Sequence, residues 1–364
     1  MAVYHCPDCG REIYFKGVCY YCRMKAAQER YRTMSGEEVA RTVREIIDGI
    51  ETIQEWDKAY KDFRGLLSCR DIDTEAIAEA AFAKKIYYPP TLYRDASASV
   101  RDAMIRLLEQ PDCGDAGHLL MCLARIGDGT AVEAIKKFEA DPLPWREKLY
   151  WSPSQYLMCG DLCLDGDGKT VRLAYEQCYA LLPGAEQDAD GAVTVASPRD
   201  DVCPQCGCKL VDILTLDGRD ERLSFLGLEG RLRIPICPNC ATLCEKSVVR
   251  YTPDGDSSAE LIEAFVDENY IGEAQYAELT NTSLVLAGEA SPPYFQFCPE
   301  DVFTIGGRPE WVQDPQYEDC PDCGRKMKLL AQMSWNTVMD YTEGSLFMQI
   351  CTDCRVVVLV HQQT

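Results

Sequence analysis

Histidine is nearly missing from this chain, which carries only His5, His118 and His361 among 364 residues. There is also no His-Glu-x-x-His, no glycine-rich phosphate loop and no serine or cysteine nucleophile in a recognisable setting, so most hydrolytic and phosphoryl-transfer chemistries lack their working groups. The expectation is a protein without catalysis. Positive charge is short as well: 37 Lys+Arg stand against 59 Asp+Glu, a formal net charge of −22. Such a balance opposes binding to nucleic-acid phosphates or an anionic membrane and favours a cationic partner. No apolar run approaches the roughly 18 residues of a membrane span. The N-terminus lacks the basic and apolar regions of a signal peptide, so the chain is expected to be cytoplasmic.

Cysteine is what the chain has in excess, with 21 residues. In a reducing compartment thiolates serve as soft metal ligands more readily than as disulfide partners. Six Cys-x-x-Cys pairs stand at Cys6/Cys9, Cys19/Cys22, Cys203/Cys206, Cys237/Cys240, Cys320/Cys323 and Cys351/Cys354. A two-residue spacing lets one tight turn aim two sulfurs at one point, and two such turns complete a tetrahedron. The six pairs therefore predict three structural Zn(Cys)4 sites. With four sulfurs a zinc has no open position for water, so its role is to hold a fold together. Cys208, Cys244 and His5 lie close enough in sequence to be alternative ligands. The other cysteines read as small buried hydrophobes.

The order of motifs divides the chain into three parts and predicts an α+β multidomain protein. Residues 1–26 form a small zinc-ribbon module, too short to bury a core without its metal. Residues 27–187 form an α-helical region, opening with the capping box Ser35-Gly-Glu-Glu38 and apolar positions at helical spacing from Val39 to Ile53. Further helices are predicted at Thr74–Lys85, Ser97–Glu109, Ala116–Arg125, Thr130–Glu139 and Thr170–Leu181. The stretch from Val100 to Phe138 resembles the helix pairs of HEAT-like repeats, with an irregular bundle as the alternative. Asp165-Gly-Asp167-Gly lacks the glutamate a calcium loop requires and reads as a turn.

Residues 188–364 form a β-rich domain that contains a duplication. Cys203-Pro-Gln-Cys-Gly-Cys-Lys-Leu matches Cys320-Pro-Asp-Cys-Gly-Arg-Lys-Met, and each copy runs through a strand, a loop and a second strand to another Cys-x-x-Cys. Two zinc ribbons follow from that spacing.

Gly306-Gly-Arg-Pro-Glu-Trp-Val-Gln-Asp, Cys320-Pro-Asp-Cys-Gly-Arg-Lys-Met-Lys-Leu-Leu-Ala-Gln and Cys351-Thr-Asp-Cys together resemble the bacterial YwqG-like family of unknown function. A similar combination is found in eukaryotic programmed cell death protein 2. The resemblance spans about residues 195–364. It implies a duplicated β fold used for protein contacts, and family members near toxin genes suggest an immunity role. From the residues alone, Gly306, Gly307 and Pro309 make a sharp turn, with Trp311 either anchoring the ribbon or, with Gln313, exposed for contact. Gln332 reads as a satisfied core amide.

Between Arg250 and Arg308 there is no Lys or Arg, while Glu260, Glu263, Asp267, Glu268 and further carboxylates accumulate. This stretch reads as an acidic, partly helical linker between the ribbons and as the best candidate for contact with a basic surface. The candidate partner-binding residues are therefore Glu260, Glu263, Asp267, Glu268, Trp311 and Gln313. The favoured function is an interaction protein of the immunity or antitoxin type that masks a basic partner such as a toxin domain. The alternative is a chaperone or assembly factor for basic proteins such as ribosomal ones.

Overall fold

The computed structural model describes residues 3–184, 191–266, 268–340 and 342–364. The N-terminal strands β1 (Tyr4–His5) and β2 (Glu12–Ile13) form a minimal hairpin that leads into helix α1 (Tyr20–Thr33). The predicted zinc module thus runs on into a helix: Cys19 is the N-cap of α1 and its sulfur accepts from the Cys22 N–H.

Six more helices follow, α2 (Gly36–Asp48), α3 (Lys58–Arg70), α4 (Glu75–Ala83), α5 (Ala98–Leu108), α6 (Ala116–Ile126) and α7 (Gly129–Ala140). The capping box at the start of α2 is formed, with Ser35 Oγ accepting from the Glu38 N–H and Glu38 Oε2 accepting from the Ser35 N–H. Helices α1 and α3 approach closely at Gly65, where a Cβ would lie 2.2 Å from the Tyr31 ring. One core gathers all seven helices, with Phe63, Leu66, Ile77, Tyr93, Leu120, Ile135 and Trp145 fully buried in it.

The helical part ends with a 3-10 turn at Pro153–Gly160, and strands begin at Leu162. Strands β3 (Leu162–Leu164) and β4 (Thr170–Arg172) form a hairpin whose Asp165–Lys169 turn is closed by Asp165 Oδ1, which accepts from the N–H groups of Asp167 and Lys169. The helix predicted at Thr170–Leu181 is therefore overturned: the segment forms β4 and then β5 (Cys178–Pro183). The local pattern is compatible with either structure. Antiparallel partners on both sides of β5 decide for the strand.

The remaining strands are β6 (Val193–Val202), β7 (Lys209–Asp217), β8 (Arg231–Ile236), β9 (Cys244–Tyr251), β10 (Ser257–Ala264), β11 (Leu284–Leu286), β12 (Phe303–Gly306), β13 (Lys328–Ser334), β14 (Ser345–Cys351) and β15 (Val356–Gln362), with helix α8 (Glu273–Thr280) before β11. They form an antiparallel three-stranded sheet, β6-β7-β8, and an eight-stranded sheet in the order β10-β9-β15-β14-β13-β12-β5-β11. The duplication is visible in the order knuckle, strand, strand, knuckle, strand, which occurs as β7-β8-β9 and again as β13-β14-β15. The copies diverge after the second knuckle. In the second copy β15 pairs with β14, whereas in the first β9 leaves β8 and pairs with β15.

Both faces of the large sheet are covered, which is why β14 and β15 read as nearly continuous apolar runs. On one face Leu346, Met348, Ile350, Val357 and Leu359 meet Leu214 and Ile234 of the small sheet. On the other, Phe347, Val356, Val358 and Val360 meet Trp311 and Tyr317. The acidic stretch predicted as a linker is built into this sheet, because it supplies both edge strands, β10 and β11. Carboxylates on an edge discourage strand addition by another acidic chain.

Candidate metal centres, an acidic edge and a cleft

Each predicted set of four cysteines converges. Cys6, Cys9, Cys19 and Cys22 form one group, Cys203, Cys206, Cys237 and Cys240 a second, and Cys320, Cys323, Cys351 and Cys354 a third, with all sulfurs of a group within 4.8 Å of one another. Four sulfurs at about 2.3 Å from a tetrahedral zinc stand roughly 3.8 Å apart. The sulfur separations are 3.6 Å for Cys9–Cys19, 3.8 Å for Cys203–Cys240, 3.5 Å for Cys206–Cys237 and 3.9 Å for Cys323–Cys351. These are too long for disulfides and close to a tetrahedral edge. The residues present therefore fit a metal ion.

The leading knuckles share one local structure. In Cys-Pro-x-Cys-Gly the glycine takes a left-handed φ of 75° at Gly10, 73° at Gly207 and 72° at Gly324. Its N–H donates to the carbonyl of the first cysteine in each case, at 2.9, 2.9 and 2.8 Å. The first cysteine's N–H in turn donates to the carbonyl five residues on, at 2.8 Å in all three. Glycine is required because the turn must reverse in a left-handed conformation without a side chain.

Electrostatics inside the sets favour a cation. The Cys19 N–H holds the Cys6 thiol down to about 6, and Arg325, whose Nε donates to Cys323 Sγ at 3.4 Å, holds the Cys323 thiol down to about 6. Cys22 is pushed up by its hydrogen bond with Cys9, and Cys237 by its hydrogen bond with Cys208. Crowded sulfurs cannot all ionise on their own, and a dication removes that conflict.

The alternative ligands stand outside the three groups. His5 is exposed, with Nε2 4.0 Å from Glu12 Oε1. Cys208 is buried against the second set, its thiol lying 3.5 Å from its neighbour's carbonyl, Lys209 O, and also hydrogen-bonding with Cys237. Cys244 faces Ser247 Oγ at 3.7 Å.

The candidate contact residues fall in two places. Glu260 and Glu263 are exposed on edge strand β10, and Glu268 is exposed just beyond it. Asp267 lies outside the described residues. This acidic edge also displays Phe265 at 71% and Tyr270 at 61% exposure. The second metal set holds it in place. Asn239, inside the Cys237–Cys240 knuckle, donates from Nδ2 to Glu268 O and accepts at Oδ1 from the Tyr270 N–H, both at 2.9 Å. Gln205, inside the partner knuckle, donates to Val266 O at 2.9 Å.

Trp311 and Gln313 lie elsewhere, on a loop over the opposite face of the large sheet. Gly306 and Gly307 make the turn with φ of 68° and 76°, and a Cβ at Gly306 would lie 2.4 Å from Gln177 O. Trp311 is half-buried, stacked on Phe347 at 4.3 Å and edge-on to Tyr317 at 5.1 Å. Gln313 is exposed and donates to Gln363 O at 2.9 Å. Three glutamines from adjacent strands clamp this loop: Gln332 brackets the backbone of Glu310, Gln349 takes Glu318 N–H and Gln316 O, and Gln362 takes Gln313 N–H and Asp314 O. Each amide stands in for a missing backbone partner, so Gln332 is the satisfied core amide expected.

Sequence reasoning missed the charges in this loop. Arg308 is buried, 3.1 Å from the Asp161 carboxylate, which also receives Arg125 at 2.8 Å and the Tyr317 hydroxyl at 3.0 Å. Glu310 pairs with Arg64 of α3. These contacts dock the helical part on the sheet, and a cleft of about 790 Å³ opens beside them, bordered by α1, the Trp56–Arg64 segment, the 296–302 turn and the Trp311 loop. The only available signal was two charged residues inside an otherwise apolar Gly-Gly-Arg-Pro-Glu-Trp motif.

Fold and sites together define an α+β protein with three four-cysteine groups able to hold metal ions. Among known proteins, the uncharacterized protein YpfL of Salmonella typhimurium is similar, 29% identical over 283 residues, or 76% of this chain. The chain spans 65% of that relative's length. No family model matches, and no solved structure matches.

Proposed function

We propose that the chain is a non-catalytic, zinc-stapled interaction protein that engages a basic protein, of the kind a toxin domain represents, through its acidic edge. The observation that carries this reading is the link from metal to surface: Asn239 and Gln205, each inside a knuckle of the second set, fix the backbone of Val266, Glu268 and Tyr270. Zinc is the metal that four thiolates in a closed tetrahedron suit best, and its role here is to set the shape of a binding surface. Exposed carboxylates with two exposed aromatic rings supply the long-range attraction and the apolar contact that such an interface needs. The likeness of Gly306–Trp311 and of the third cysteine set to YwqG-like proteins supports a contact role.

The test is capture of partners by the full-length chain at low and high salt, compared with the triple variant Glu260→Lys, Glu263→Lys, Glu268→Lys. A stoichiometric basic partner, lost at high salt and lost in the variant, is expected. Equal capture by the variant contradicts the acidic edge. A broad set of ribosomal proteins would favour an assembly factor.

A further inference from the structure

We propose that the cleft between the helical part and the large sheet binds an extended polypeptide segment bearing arginine or lysine side chains. This rests on the basic-partner reading and adds a second recognition site, separate from the β10 edge, whose residues do not line the cleft. The volume of about 790 Å³ is that of a ligand site.

Its mouth carries exposed rings. Trp56 is 57% exposed, Tyr20 49% and Tyr88 41%. Trp56 also holds a left-handed backbone, φ 56°, an uncommon conformation for a large side chain and one that clusters at functional positions. Its ring packs edge-on to Tyr60 with centroids 4.5 Å apart. Within the same cleft Arg64 lies over the rings of Tyr60 and Phe297, at 5.7 and 5.4 Å, so this wall already accommodates a guanidinium.

Negative charge in the cleft is left over once internal pairs are counted. Glu310 is matched by Arg64, and Arg125 by Asp161. Glu300, Asp301 and Asp314 have no cation within ion-pair distance among the described residues; Asp301 is held by the neutral donors Ser334 Oγ at 3.1 Å and Asn336 Nδ2 at 3.4 Å. Lys25 reaches Glu300 only at long range. Carboxylates call for cations, and rings for cation–π contact along the side chain. An extended peptide with repeated basic side chains presents several cations along the length of the cleft at once, whereas free arginine presents only one.

The probe is a fluorescent, end-blocked Ala-Arg-Ala-Arg-Ala-Arg peptide, with the Ala-Glu counterpart and free arginine as controls, titrated into the full-length chain. The arginine peptide is expected to bind, with free arginine and the acidic peptide weaker by about tenfold or more. Trp56→Gly suits the left-handed backbone and removes a largely exposed ring that touches Tyr60; it and the double variant Glu300→Gln, Asp301→Asn are each expected to weaken binding about tenfold at unchanged metal content, the double variant with no loss of melting temperature. Binding unchanged in both variants overturns the cleft assignment. Loss confined to Glu260→Lys, Glu263→Lys also overturns it while leaving the acidic-edge reading standing. Failure of the arginine peptide to outcompete the acidic one overturns the basic-partner reading itself.

Discussion

Asn239 holds Tyr270 in place from inside a metal knuckle, accepting the Tyr270 N–H at 2.9 Å while its own amide donates to the Glu268 carbonyl. Substituting Asn239 by leucine keeps the branched side-chain skeleton, with somewhat bulkier methyl ends, but leaves those backbone groups without partners. The expected cost is about 1–3 kcal/mol, read by urea unfolding. Faster amide exchange confined to the segment around Glu268–Tyr270, with metal content unchanged, would separate loss of the clamp from loss of the site.

Asp161 sits under two guanidiniums and a tyrosine hydroxyl. Asp161→Asn retains shape and tolerates the left-handed backbone, φ 60°, but leaves the buried Arg125 without a carboxylate partner, while Arg308 keeps only Glu176. A loss of about 3–5 kcal/mol is expected, measured by denaturant unfolding. A loss within the few tenths typical of a surface ion pair would contradict the docking role assigned to this cluster.

Two glycines with nearly the same φ should respond differently to alanine. At Gly324 a Cβ meets nothing within 4 Å, so Gly324→Ala carries only the left-handed penalty of about 1–2 kcal/mol. At Gly306 the same atom would strike the Gln177 carbonyl, so Gly306→Ala is expected to cost clearly more or to misfold. Melting temperatures of the two variants, measured side by side, give the comparison.

Burial pushes the Glu300 carboxyl above its ordinary range, with Asp301 adding to the effect and Lys25 opposing it. A carboxylate with a raised folded pKa binds more protons folded than unfolded, so its contribution to stability is fully present below the unfolded value and is lost as pH rises through the folded one. Glu300→Gln removes the cost of ionisation. The variant should be more stable than the parent at neutral pH, and the difference should shrink toward pH 4. A constant difference across that range would contradict this.

The cysteine sets were legible because their chemistry is local: a two-residue spacing and a glycine dictate a knuckle, wherever it sits in the chain. The helices α2 and α4 to α7 were legible for the same reason, from caps and apolar period. Helix α1 was not, since it begins on a metal knuckle, and α3 was overlooked although Ala59, Phe63, Leu66 and Leu67 recur at helical spacing. Strand β5 was misread as helix because its identity depends on β11 and β12, more than 100 residues away. Charge counting located the acidic stretch but could not show that it becomes two sheet edges. Arg308–Asp161 and Arg64–Glu310 join residues 147 and 246 apart, and no local pattern announces such pairs.

The most direct measurement is metal stoichiometry on the full-length chain, with thiol counting after denaturation under non-reducing conditions. Three zinc ions per chain, released by a chelator with loss of the folded β region and with all 21 thiols reduced, are the predicted result. Fewer than three metals, or disulfides linking the paired knuckles, would contradict the account.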